Sequence, residues 1–462
     1  MRMAKSVCSV LRGTNTLTWS RLRTEIKHFH ISRVCMAETQ QNKYNQWTVP
    51  FKLKDPEYDL DYILNPANHA AISENIANRK GVGNIDLVVD LYRKFENTRD
   101  PDEKETVKRQ FLKAVGEMPN TSHPQSPVGE EDAAILVDLV GHKRETSGDQ
   151  PQLKTMLELG EHLGMLRTSN VSLTTGHTTY YFLDQLAMLE QALVKYTVDY
   201  LLQKGFQLVS VPDLLHPEII ESCGFKTTGD VAQVYRLDTA RHPDLCLIGT
   251  SEMSLAGYFT DEVQKIKDLP IKFAAVSRCY RAETSHMEDD LGLYRVHQFT
   301  KVEMFGVTSN SSGEEGNDLL MELIDIEKTL FSQLGLHFRV LEMPTTELGA
   351  PAHRKFDIEA WMPAKQFWGE ISSASNCTDY QSRRLSIKYS TDSGDLNHCT
   401  TVNGTACAVP RTLMAVCETH QNQDGSINIP SVLQKCMDGL QVIIKSDCVP
   451  KLSWIKSNKL KK

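Results

Sequence analysis

Ser277-Arg-Cys-Tyr-Arg-Ala-Glu283 and Gly292-Leu-Tyr-Arg-Val-His-Gln-Phe-Thr-Lys-Val-Glu303, joined by a polar loop, decide how the rest of the chain is read. Lys272 to Tyr280 and Gln298 to Val307 read as strands, and the charged residues cluster where those strands meet the loop. Upstream, Leu186, Leu189, Leu193, Val194, Val198, Leu201 and Leu202 mark one face of an amphipathic helix that Gly205 closes. A strand from Phe206 to Val211 follows and ends at Pro212. Downstream, a second amphipathic helix runs from about Asp318 to Leu334, then Gly335, then a strand from Phe338 to Met343. Strands that pair through a loop, with helices gathered elsewhere, predict an α+β fold with a mainly antiparallel sheet.

Two more stretches place polar and charged residues on apolar, strand-like segments. They are Gly369-Glu-Ile-Ser-Ser-Ala-Ser-Asn-Cys-Thr-Asp379 and Thr401-Val-Asn-Gly-Thr-Ala-Cys-Ala-Val-Pro-Arg411, the latter opening a helix. Arg and Glu are seldom buried without partners, so these are poor plain core strands. Arg281 and Arg411 offer planar forks that match phosphate or carboxylate oxygens. Glu370 and Ser373 are hard-oxygen donors suited to Mg²⁺ held by phosphates. Phe299 can stack on a base, and Glu252 and Glu303 can hold an ammonium group. Thr250, Asn403 and Thr405 suit a small polar ligand. Residue chemistry alone therefore gives a site for a nucleotide and a small ligand, with the reaction open; surface ion pairs are the bland alternative.

Bulk properties narrow the class. With 40% hydrophobic and 24% charged residues the composition is that of an ordinary globular protein. No run of 18 apolar residues is present, which argues against a membrane-spanning helix. The net charge of −8 argues against a protein that coats nucleic acid indiscriminately, while leaving room for a local basic surface. Eleven cysteines without a C-x-x-C pair read as free thiols in a reducing compartment, and Cys399, Cys407 and Cys417 fit no zinc spacing.

The two ends differ from the body. Residues 1–35 carry Arg2, Lys5, Arg12, Arg21, Arg23, Lys27 and Arg33 against the single acid Glu25, the composition of a mitochondrial transit peptide, with a disordered basic tail that carries no address as the bland alternative. Residues 50–127 read as a small helical domain whose patterns Asn84 to Asn97 and Pro101 to Glu117 form a hairpin, each arm about 20–25 Å long. Its last part, Pro119 to Pro127, breaks helix repeatedly and reads as a linker. Residues 128–440 hold the candidate catalytic domain. The tail 441–462 sets Lys445, Lys451, Lys456, Lys459, Lys461 and Lys462 against Asp447, and reads equally as an RNA-binding patch or a solvated end.

The three motif stretches, with Thr250-Ser-Glu252, resemble motifs 2 and 3 of class II aminoacyl-tRNA synthetases in the form found in seryl-tRNA synthetases. The similarity runs from about Met156 to Pro430, and Phe356-Asp-Ile-Glu-Ala-Trp-Met-Pro363 resembles the animal mitochondrial branch. The resemblance implies a class II antiparallel sheet flanked by helices, with the N-terminal domain bearing a shortened hairpin. It implies an ATP site at Arg281, Ala282, Glu283, Val296, His297, Gln298, Phe299, Glu370, Ile371, Ser372, Ser373 and Arg411, with Mg²⁺ on Glu370 and Ser373. Serine is expected at Thr250, Ser251, Glu252, Arg281, Glu303, Asn403 and Thr405, with Arg281 and Arg411 carrying the catalysis. The implied partners are serine, ATP and tRNA(Ser), the implied compartment is the mitochondrial matrix, and the helix from Leu186 implies a dimer, either of identical chains or with a related chain. Two departures keep open a paralogue that has lost catalysis and serves as an RNA-binding or regulatory subunit. They are the short hairpin and the acids Glu288, Asp289 and Asp290, unfavourable beside RNA phosphates.

Overall fold

The computed structural model describes residues 53–144, 152–168, 175, 178–229, 232–238, 244–283 and 293–446. The basic segment 1–35, the acidic loop 284–292 and the tail beyond 446 lie outside the described residues.

Near the N-terminus, helix α1 (His69–Asn78) precedes a hairpin of α2 (Ile85–Asn97) and α3 (Pro101–Gly116). Asn84 caps α2 by accepting from the Leu87 amide, and Asp100 caps α3 by accepting from the Glu103 amide. Pro101 in the first turn of α3 has no amide hydrogen to leave unsatisfied, so the predicted boundary holds. Ile85, Val88, Phe111 and Val115 close the hairpin around an apolar cluster.

Further along the chain come β1 (Ile135–Val140), α4 (Asp184–Gln203), β2 (Gln207–Val209), α5 (Ser251–Tyr258), β3 (Ile271–Tyr280) and β4 (Gln298–Thr308). They are followed by α6 (Glu315–Gln333), β5 (Phe338–Glu342), β6 (Arg354–Met362) and β7 (Phe367–Asn376). Last are α7 (Tyr380–Leu385), β8 (Thr400–Ala408) and α8 (Val409–His420). Among the described residues these strands form one eight-stranded sheet in the order β1-β5-β6-β7-β8-β4-β3-β2. Every neighbouring pair is antiparallel except β2 with β3. The α+β, mainly antiparallel expectation therefore holds.

The two faces of the sheet do different work. Apolar faces of α4, α6 and α8 bury Leu189, Leu193, Leu320, Leu323, Leu413 and Val416 against one face. That packing frees the opposite face of the central strands to carry polar side chains. The N-terminal helices are fastened to this body by Arg79, which donates to the carbonyl oxygens of Asn120 at 2.9 Å, Ala352 at 2.9 Å and Ala350 at 3.3 Å, and also to that of Gly349.

Candidate active site

Strand register gathers the motif residues. Arg281 leaves the end of β3, and Phe299 near the start of β4 pairs with Cys279, so the guanidinium lies 5.3 Å from the Phe299 ring centroid. The ends of the intervening loop are pinned, because the Arg281 amide donates to the His297 carbonyl at 2.9 Å. The His297 Nδ1 in turn lies 2.8 Å from the Tyr235 hydroxyl. Thr405 on β8 pairs with Glu303 on β4, which brings motif residues far apart in sequence onto one surface.

One cleft, about 570 Å³ including its open mouth, is lined by Arg281, Glu283, Val296, Phe299, Glu370 and Arg411 among others. Arg411, in the first turn of α8, donates from Nε to the Tyr294 carbonyl at 3.0 Å. Its Nη1 donates to Glu370 Oε2 at 2.9 Å, and the guanidinium stacks 4.2 Å from the Tyr294 ring centroid. Burial disfavours the Glu370 carboxylate, but Arg411 and Lys355 outweigh that and hold it below the usual range, so Glu370 is an anion. Glu283 lies at the rim, 3.9 Å from Arg295.

At the inner end the polar groups are almost fully buried. Thr250 caps α5, its Oγ1 accepting from the Glu252 amide at 3.3 Å, and Ser251 is buried beside it. Both Glu252 oxygens are held, one by Gln381 Nε2 at 2.7 Å and the other by Asn403 Nδ2 at 3.2 Å. The Glu303 carboxylate accepts from Thr405 Oγ1 at 3.3 Å and pairs with the buried Lys301 ammonium. Burial first, and Glu303 second, raise Glu252 to about 7. Burial also raises Glu303, with Lys301 pulling the other way. The result is a small anionic recess next to a cationic, aromatic cleft, the surroundings a zwitterion beside a polyphosphate requires.

Of the residues expected from sequence, Arg281, Glu283, Val296, Phe299, Glu370, Ile371, Ser372, Ser373, Thr405 and Arg411 line the cleft, and Thr250, Glu252, Glu303 and Asn403 meet in the recess, whereas His297 and Gln298 line a separate cavity with Tyr235 and Arg278. Three contributors were missed. Lys301 was passed over as part of an apolar strand, although a lysine two residues from a glutamate on one strand shares its face. Gln381 and Tyr294 gave no chemical signal of their own; their importance comes from what they touch. Asp357 also stands beside the site, directly across from Ser373, with Oδ2 taking a hydrogen bond from Lys355 at 2.8 Å and Oδ1 buried without a partner. Anionic Glu370, the Ser373 hydroxyl and this orphaned oxygen fit a hard divalent cation such as Mg²⁺.

Known proteins resemble this chain over most of its length. The model of the class II core domain of tRNA synthetases (G, H, P, S and T) matches residues 235–420. The mitochondrial serine--tRNA ligase of Mus musculus is 46% identical over 334 residues, 72% of this chain. The match spans 64% of the length of that mouse protein. The serine--tRNA ligase of Treponema denticola is 35% identical over 423 residues, 81% of this chain and 97% of that one. Among solved structures, the seryl-tRNA synthetase of Pyrococcus horikoshii complexed with ATP superposes with a TM-score of 0.76 at 27% identity, covering 84% of this chain and all of that one. The cytoplasmic serine--tRNA ligase of Naegleria fowleri in complex with AMP gives 0.75 at 26% identity.

Proposed function

The chain belongs to the serine--tRNA ligase family of class II synthetases, and we propose that it activates serine with ATP and passes the seryl group to tRNA(Ser) in the mitochondrial matrix. The observation that carries this reading is the joining of the two sites: the Glu252–Glu303–Thr405–Asn403 recess opens beside the Arg281–Phe299–Arg411 cleft.

In the first step a serine carboxylate oxygen attacks the α-phosphorus, forming the mixed anhydride and expelling pyrophosphate. Arg281 holds the attacking carboxylate and the α-phosphate together, lowering the entropic cost of their meeting. Phe299 stacks on the adenine, with Val296 and the Ala282–Glu283 backbone around it, while His297 and Gln298 face the neighbouring cavity. Arg411 faces the γ-phosphate; its Nε and Nη1 are engaged by the protein, leaving Nη2 for the nucleotide. Mg²⁺ on Glu370 and Ser373, next to Ile371 and Ser372, would supply further neutralisation of phosphate charge. Glu252 takes the substrate ammonium, with Thr250 and Ser251 beside it, and Glu303, Thr405 and Asn403 surround the hydroxyl. Alanine leaves those buried groups unpaired, and a site of this kind can reject such an analogue by about 10⁴-fold. In the second step a terminal ribose hydroxyl of tRNA attacks the activated carbonyl and releases AMP.

The N-terminal hairpin and the tail 441–462 are the candidate RNA contacts, and α4 with β2 is the candidate dimer surface. The latter exposes Leu202 and Leu208, apolar side chains that a second subunit, identical or related, would cover. Serine-dependent ATP–pyrophosphate exchange tests the whole reading: Arg281→Ala and Arg411→Ala abolish it while ATP and serine remain the only substrates needed. Folded wild-type protein without exchange would instead favour an inactive, RNA-binding or regulatory subunit.

A further inference from the structure

The apolar stripe of α6, Leu320, Leu323, Leu330 and Phe331, is interrupted by Glu327. Its side chain is fully buried, and neither oxygen has a hydrogen-bond partner within the ordinary geometric limits. A leucine there would bury well at no electrostatic cost, so the carboxyl needs an explanation.

What lies above it is the strand that carries the serine recess. Glu327 presses on β8 at Gly404, where an added methyl group would stand 2.8 Å from Glu327 Oε1. The flanking residues Asn403 and Thr405 point to the opposite face, into the recess, because side chains alternate along a strand. Beside Gly404, the Ser372 hydroxyl on β7 donates to the Thr405 carbonyl at 2.6 Å. Ser372 is also the polar side chain that bears on Glu327, and the charges that act on it through the sheet are the carboxylates Glu303 and Asp357. Burial, with those two anions, keeps the Glu327 proton on well above the usual carboxylate range. A neutral carboxyl has one O–H to give. The Ser372 proton is committed to Thr405, so the Ser372 oxygen is free to accept.

We propose that Glu327 is a positioning residue for the serine recess: from beneath the sheet its carboxyl O–H donates to Ser372 Oγ, whose own proton holds the Thr405 carbonyl and so fixes the Thr405 hydroxyl against Glu303. The chain Glu327–Ser372–Thr405 crosses the sheet from the helical core to the substrate side, and Gly404 is the residue that lets the carboxyl approach. This role rests on the serine-activating reading given above.

Two variants separate the hydrogen bond from simple packing. In Glu327→Gln the amide N–H replaces the carboxyl donor; in Glu327→Leu the volume is kept and the donor lost. In pyrophosphate exchange, Glu327→Leu raises the KM for serine about tenfold and leaves the KM for ATP unchanged, whereas Glu327→Gln stays near wild type. Hydrogen exchange on the ligand-free protein, followed by mass spectrometry, gives a readout independent of activity: the peptide spanning 400–408 loses protection in Glu327→Leu and keeps it in Glu327→Gln. An unchanged serine KM in Glu327→Leu, equal rises in both KM values, or a Gln variant as impaired as the Leu variant would each overturn the proposal, as would unaltered protection of that peptide. Wild-type protein lacking exchange would defeat the serine-activating reading instead, and the hydrogen-exchange comparison would still decide whether Glu327 orders β8.

Discussion

Glu252 sits near the midpoint of its titration at neutral pH, raised to about 7 by burial and by Glu303. Only its anion attracts an ammonium group, so serine binding strengthens as pH rises through that value. We expect the KM for serine to fall between about pH 6 and pH 8, and Glu252→Gln to raise it and flatten the profile. Stability runs the opposite way. A carboxyl whose folded value lies above its ordinary 4.5 is favoured by folding while protonated, so its contribution is lost as pH rises from 4.5 through about 7. Thermal melts of wild type and Glu252→Gln across that window check the sign, the variant showing the smaller loss. Sequence exposed Arg281, Glu303 and Arg411 because charges set among apolar, strand-like stretches are unusual, and Glu252 because it closes the Thr250-Ser-Glu252 stretch of the resemblance. It did not expose Gln381, whose whole contribution is one hydrogen bond to Glu252 from a helix distant in the chain.

Elements with a strong local signal were legible to within a few residues: α4, α6 and the N-terminal hairpin by apolar periodicity and caps, β3 and β4 by apolar content. Strand β1 was not. Ile135-Leu-Val-Asp-Leu-Val140 lacks the alternation of a half-buried strand, because it is an edge strand with a register shift between Leu136 and Asp138. Strands β6 to β8 were recognised for their chemistry and not for their pairing, since register is set by contacts between distant segments. Leu323, fully buried on α6 against the sheet, measures how much that packing contributes. Leu323→Ala is expected to cost about 2–5 kcal/mol in denaturant unfolding. Arg79→Met removes a guanidinium that donates to several backbone carbonyls where helix α1 meets the body of the sheet domain. It strips the buried Ala352 carbonyl of its donor, at about 1–3 kcal/mol, while the Asn120 and Ala350 carbonyls keep the Asn75 side chain and the Asn120 amide. Limited proteolysis should then cut within 117–125 or 349–352 faster than in wild type, while exchange persists.

At the scale of the molecule, the body proposed to activate serine is joined to two candidate RNA-binding features, a hairpin whose arms are 13 and 16 residues long and a lysine-rich tail. So short a hairpin reaches little RNA, and the tail is expected to carry more of the affinity. Deleting residues from Lys451 onward should weaken tRNA binding and flatten its salt dependence, because each phosphate-bound lysine releases counterion. Pyrophosphate exchange should be nearly unaffected; if it collapses, the tail is structural. Light scattering at micromolar concentration should give the mass of two chains, and a monomer would count against the α4–β2 surface as an interface. All of this depends on whether the cleft and the recess act as one site. Pyrophosphate exchange with purified, folded protein asks that most directly. Exchange should require serine, should not be supported by alanine, and should fall by at least about 10²-fold in Arg281→Ala and in Arg411→Ala. Exchange absent from the wild type, or equally supported by alanine, would contradict a single serine-activating site.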